Sequence, residues 1–160
     1  MGVGGDGMDL VFWRHAEAQE WEPGCNDLER SLTPRGEKQA TRMAAWLDRQ
    51  LPEGARVLAS PARRTEQTVL ALGRKYKLRD ELRPDATVDQ LLTLVQWPQG
   101  RTTTLVVGHQ PVLGQAIAQL LGMQASECAV RKGAVWWLRH RQREGVAQTV
   151  LLTVQSPEVL

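Results

Sequence analysis

Apolar positions fall along this chain in two alternating rhythms. Residues 9–13, Asp-Leu-Val-Phe-Trp, form a short apolar run bounded by charge, the pattern of a strand buried on both faces. The run stops at Arg14-His15. From Thr33 the interval lengthens: Ala40, Met43, Ala44, Leu47 and Leu51 recur at helical spacing, with Thr33 placed to cap and Pro34 at the first helical position. Pro52 and Gly54 close that helix, and residues 56–59 (Arg-Val-Leu-Ala) predict a second buried strand ending at Ser60-Pro61.

A helix is expected over about residues 64–75, with Val69, Leu72 and Tyr76 on one side, followed by a less regular stretch broken at Pro84. Val88, Leu91, Leu92 and Val95 predict another helix that ends before Pro98 and Gly100. Residues 103–107 are β-branched and apolar, a third strand running straight into Gly108-His109-Gln110-Pro111. Leu113, Ala116, Ile117, Leu120 and Leu121 give a further helix stopped by Gly122. Residues 134–138 and 149–154 predict two late strands joined through Glu144-Gly145 as a hairpin at one side of the sheet. Strand and helix alternate for most of the length, so the expected fold class is α/β: a single three-layer domain, a mainly parallel central sheet flanked by helices.

Composition narrows the class. A chain of 160 residues buries enough apolar surface to stand without a disulfide framework. Cys25 and Cys128 have no metal or redox spacing and are expected as reduced thiols, which points to a cytoplasmic location. Residues 1–8 are glycine-rich with no apolar run, and are expected as a disordered leader or cloning remnant preceding a domain over residues 9–155. No membrane segment is expected, and no nucleic-acid partner: the net charge is only +2. Arg139, His140, Arg141 and Arg143 make a basic stretch, but without an aromatic stacking platform it reads as a solvated strand end. His140 is assigned to the surface.

Chemistry gathers where three strands end: Arg14-His15, the segment from Ser60 to Arg64, and Gly108-His109. In open α/β sheets ligands bind at the carboxyl ends of strands, so these segments should converge. They bring together two histidines and at least two arginines, Arg14 with Arg63 or Arg64, with no acid among them, a group whose natural ligand is an anion. Arginine presents a planar fork of donors matched to phosphate oxygens. Amid such charge an imidazole should be held neutral, with a lone pair free for attack on phosphorus.

Four motifs in order carry a resemblance: Arg14-His15-Ala16, Leu32-Thr33-Pro34-Arg35-Gly36, Ser60-Pro61-Ala62-Arg63-Arg64-Thr65-Glu66-Gln67-Thr68, and Val107-Gly108-His109-Gln110-Pro111. Together they resemble the histidine phosphatase superfamily, with its phosphoglycerate mutase-like fold. The compact length and the Arg-His-Ala-Glu-Ala opening are most similar to its SixA-type phosphohistidine phosphatases. The resemblance implies that His15 is the residue phosphorylated, that Arg14 and Arg64 hold the phosphoryl oxygens, and that His109 is the second histidine of the pocket. Arg64 is preferred to its neighbour Arg63 because it sits four residues after Ser60 and precedes Thr65-Glu66-Gln67-Thr68.

Mutases and many phosphatases of that superfamily use a glutamate on inserted structure as general acid, and no clear equivalent is present here. Glu17 and Asp85 are the available carboxyls. The absence favours a leaving group that needs little help, such as the imidazole of phosphohistidine. The resemblance thus implies a metal-independent, cofactor-free phosphatase acting on a phosphorylated histidine-containing protein or a small phosphorylated substrate, monomer favoured. A phosphomonoesterase, a mutase-like enzyme or a non-catalytic phosphate-binding regulatory module are the alternatives. Asp27 and Arg30 read as a surface ion pair near the pocket, and Trp21, between two glutamates, as a residue free to touch a partner.

Overall fold

Alternation along β1 (Met8–Arg14) divides the interior into two halves. In the computed structural model, which describes residues 7–160, Leu10 and Phe12 join one apolar cluster while Val11 and Trp13 join another on the opposite face of the sheet. The first cluster is closed by α3 (Val88–Val95) and α4 (Val112–Leu120), through Leu91, Leu94, Leu113 and Ile117. The second is closed by α1 (Pro34–Gln50) and α2 (Arg63–Leu70), through Met43, Leu47 and Val69. A strand covered on both faces is apolar on both, which is why residues 10–13 show no polar face; the buried Asp9 is matched by Arg139 and Trp137 Nε1. The result is the three-layer α/β arrangement.

The sheet runs β3-β2-β4-β1-β5-β6. Here β2 is Arg56–Ala59, β3 Lys77–Leu78, β4 Thr104–Gly108, β5 Val135–Arg143 and β6 Val146–Gln155. The first four strands pair in parallel, and β5 and β6 add antiparallel. Glu144 and Gly145, both at positive φ (54° and 78°), make the hairpin turn, a geometry in which two central residues with φ above zero match the twist of the flanking strands.

Several expectations shift. Residues 1–6 of the expected leader lie outside the described residues, and Met8, the last residue of that leader, instead belongs to β1, pairs with His140 and is buried. The second helix ends at Leu70 rather than near residue 75, since Gly73 at φ +73° turns the chain away. Leu72 and Tyr76 nevertheless pack on the cluster their spacing indicated. Strand β3 has no signature because both of its residues are exposed. His140 is not a free surface group: it is half-buried, its ring edge-on to Trp97 at 5.5 Å. Among the described residues no helix is long and apolar enough to cross a membrane.

Candidate active site

The parallel strands β2, β4 and β1 lie side by side, so their carboxyl ends share one edge. Backbone bonds stitch the segments that follow: Ser60 N–H donates to the Val107 carbonyl and His15 N–H to the Gly108 carbonyl, each at 3.1 Å. His15 and His109 thereby face each other with ring centroids 5.4 Å apart. Both rings are buried, as is Arg64, while Arg14 is half-buried. The four residues singled out in the sequence come together, and Arg63, the neighbour passed over, is exposed.

The tautomer of His15 follows from one contact. Its Nδ1 lies 2.7 Å from the Ala16 carbonyl, and a carbonyl can only accept, so Nδ1 carries the proton and Nε2 keeps its lone pair. The position is fixed from behind: Ala16 N–H donates to Thr68 Oγ1 at 3.1 Å, and Thr68 Oγ1 donates to the Arg64 carbonyl at 2.7 Å. Residue 16 is thus tied to the first turn of α2, the turn that carries Arg64.

His109 is oriented by Ser60, at 2.9 Å between Nε2 and Oγ. Ser60 Oγ already accepts from Ala62 N–H at 3.3 Å. If its proton goes to His109 Nε2, the Nδ1 of that ring is left as a donor. That Nδ1 is buried without a partner among the described residues, and so are Arg14 Nε and Arg64 Nε. Buried polar groups are nearly always satisfied in folded proteins, so three unpartnered nitrogens in the segments that meet here are sites an anion's oxygens could satisfy. The arginines are anchored by their other nitrogens: Arg14 Nη1 donates to the Val130 carbonyl at 2.8 Å, and Arg64 Nη1 to the Asp27 carbonyl at 2.8 Å.

Both imidazoles are held neutral. Burial is the larger cause for His15, and the Arg64 and Arg14 charges add to it against the bond to Ala16, bringing its pKa to about 3. For His109 burial again leads, followed by His15 and the arginines, bringing it to about 2. Charge repulsion was the cause legible in the sequence; loss of water around the rings is the stronger one.

Neither candidate acid is bonded to His15, His109 or the two arginines among the described residues. Glu17 Oε2 accepts from Thr33 Oγ1 at 2.7 Å, at the start of α1 whose first turn that threonine caps through Gly36 N–H. Asp85 is exposed in the turn before α3. Two residues that the sequence left in the background are at the site. Ser60, in sequence only one member of a motif, bonds to His109, and Asp27, in sequence half of a surface pair, binds Arg64 directly, with Oδ2 3.1 Å from Nη2. The cationic group is therefore not free of acids, as its own segments indicated. Its carboxylate comes from the loop between β1 and α1.

Residues 10–89 match the sequence model of the histidine phosphatase superfamily (branch 1). The phosphohistidine phosphatase SixA of Escherichia coli (strain K12) is 32% identical over 121 residues, covering 71% of this chain and 74% of its own. The structure of the protein histidine phosphatase SixA complexed with tungstate superposes with a TM-score of 0.78 at 26% identity, over 95% of this chain and 99% of that one. A SixA-type structure from Nakamurella multipartitia gives a TM-score of 0.77 at 29% identity, over 98% and 99% of the two chains.

Proposed function

This chain belongs to the histidine phosphatase superfamily, and from that membership we propose that it hydrolyses phosphohistidine on a partner protein through a phosphorylated His15. The observation that carries the reading is the cluster itself: an imidazole with Nδ1 committed to the Ala16 carbonyl and facing the His109 ring, in a group with three buried nitrogens that lack partners among the described residues. A neutral ring with a free Nε2 is a nucleophile, and orphaned donors are what a phosphoryl group's oxygens would satisfy.

In the proposed reaction the Nε2 lone pair of His15 forms the new bond to phosphorus while the phosphorus–nitrogen bond of the substrate breaks, its electron pair staying with the leaving imidazole. Arg14, Arg64 and His109 hold the equatorial oxygens, where charge shifts as the phosphoryl group passes. Water then attacks phosphorus, and phosphate leaves with His15 restored. The leaving imidazole, protonated on its ring while still attached, departs as a neutral molecule and needs no strong acid. That fits a site whose nearest candidate acid, Glu17, is spent on Thr33. The similarity to the Escherichia coli phosphohistidine phosphatase supports the substrate class.

The test uses a phosphorylated histidine-containing domain and a sugar phosphate side by side. Wild type is expected to release phosphate from the former faster, His15→Ala to release none, and brief incubation to leave an acid-labile, base-stable phosphate on the wild-type chain. Equal or better turnover of the sugar phosphate would assign a phosphomonoesterase instead, and phosphate release by His15→Ala would remove the covalent route.

A further inference from the structure

Asp27 opens a short 3-10 helix, Asp27–Glu29, that contributes no buried residue. Its expected bond to Arg30 exists, with Nε donating to Oδ1 at 2.9 Å. The same residue also takes hold of Arg64 twice, its carbonyl accepting from Nη1 at 2.8 Å and its Oδ2 from Nη2 at 3.1 Å. The exposures of the partners are unequal: the Asp27 side chain is 42% exposed and that of Arg64 only 4%. Ion pairs between two exposed groups contribute little. A buried guanidinium is different, because its donors are costly to leave unmade and its orientation is set by whatever satisfies them. Among the described residues the hydrogen bonds of the Arg64 side chain go to Asp27, and all are on the Nη edge. The Nε of Arg64 remains buried and without a partner among the described residues.

Resting on the phosphoryl-transfer reading above, we infer that Asp27 is a positioning residue of this site: it clamps the Nη edge of Arg64 and so presents the Nε edge to the phosphoryl group. Its second oxygen ties Arg30 to the same carboxylate, which joins the loop to Arg64 by charge. The group is poorly suited to proton donation. Burial alone would raise its pKa, but the charge and hydrogen bonds of Arg64 and Arg30 outweigh that and hold it below its ordinary value. Asp27 therefore acts through Arg64 and does not itself move a proton.

The experiment is a double-mutant cycle on the full chain, with Asp27→Ala, Arg64→Ala and the double variant, and with the isosteric Asp27→Asn as a form that keeps its fold and one carbonyl oxygen. Orthovanadate affinity is read by calorimetry, and kcat and KM on a phosphorylated histidine-containing domain. Asp27→Ala is expected to weaken vanadate binding and lower kcat by about tenfold each, with KM for the protein substrate changed by less than about twofold, and Asp27→Asn to lose less. In the Arg64→Ala background, removing Asp27 should change neither quantity. Losses that multiply in the double variant, or single Asp27 variants with wild-type kcat and vanadate affinity, would overturn the inference. Calorimetry does not depend on turnover. A wild type that binds vanadate in an Asp27-dependent way yet hydrolyses no phosphohistidine would refute the reaction and leave the positioning role standing.

Discussion

At His15 one carbonyl decides which ring nitrogen keeps its lone pair, and at His109 one hydroxyl, able to donate or accept, holds the ring in place. Ser60 is fully buried, and its Oγ is the only hydrogen-bond partner recorded for the His109 ring among the described residues. Ser60→Ala should therefore free the ring to rotate and leave Nε2 unpaired in a dry site. The expected loss is roughly tenfold in kcat, below the 10²- to 10³-fold expected on the order of magnitude for deleting a donor that touches the reacting group. Steady-state kinetics check it, and a Ser60→Ala enzyme with unchanged kcat would show that packing alone orients His109. His15, His109, Arg14 and Arg64 were legible because each follows the end of a predicted strand within a motif. Ser60 and Asp27 were not, since a hydroxyl or a carboxylate announces its partner only through the direction in which it points. The Asp27 bond to Arg64 spans 37 positions, and no local spacing encodes it.

Elements were legible in proportion to their burial. β2 matched its expected bounds because every position beyond Arg56 is covered on both faces, whereas β5 and β6 extend well past theirs, since the outer halves of an antiparallel edge carry mixed residues such as Arg141 and Gln148. One junction between elements has functional weight. Gly36, in the first turn of α1, lies so close to the Glu17 backbone that a Cβ there would collide with the Glu17 carbonyl oxygen. That carbonyl accepts from Thr33 N–H at 3.0 Å, and Glu17 N–H is held by Gln39 Oε1 at 3.0 Å, so neither side can retreat freely. Alanine would favour the helix by about 1 kcal/mol, but overpacking against backbone costs about 1–3 kcal/mol. Gly36→Ala is thus expected to lower the urea midpoint. It should also reduce kcat, because the displaced backbone is two residues from His15. Gly54→Ala, where a Cβ would meet nothing within 4 Å, is the control that should do neither.

Across the whole molecule, keeping two imidazoles neutral ties stability to pH. Both native pKa values, about 3 for His15 and about 2 for His109, lie below the ordinary value of roughly 6.5 that the unfolded chain restores. Between these limits the unfolded state binds more protons than the native one, so stability is complete above about pH 6.5 and is lost as pH falls, each ring contributing a slope of up to about 1.4 kcal/mol per pH unit. Carboxylates with lowered native values, Asp27 among them, act in the same direction but at lower pH. The window from pH 7 to pH 5 therefore isolates the histidines. Urea denaturation across that window should show stability falling with acidity, and His109→Gln should remove about half of the fall. Sulfate, dianionic throughout, offers a second handle. Seated among Arg14, Arg64 and His109 it would favour protonated rings, raising their native pKa values. Saturating sulfate should then raise stability, by about 2.7 kcal/mol at a hundred times its Kd, and flatten the pH slope together. Arg64→Ala should abolish the change in slope and the saturable part of the stabilisation, leaving only the general, non-saturating action of the salt. A slope that sulfate leaves unchanged in the wild type would mean that the anion sits apart from the two rings.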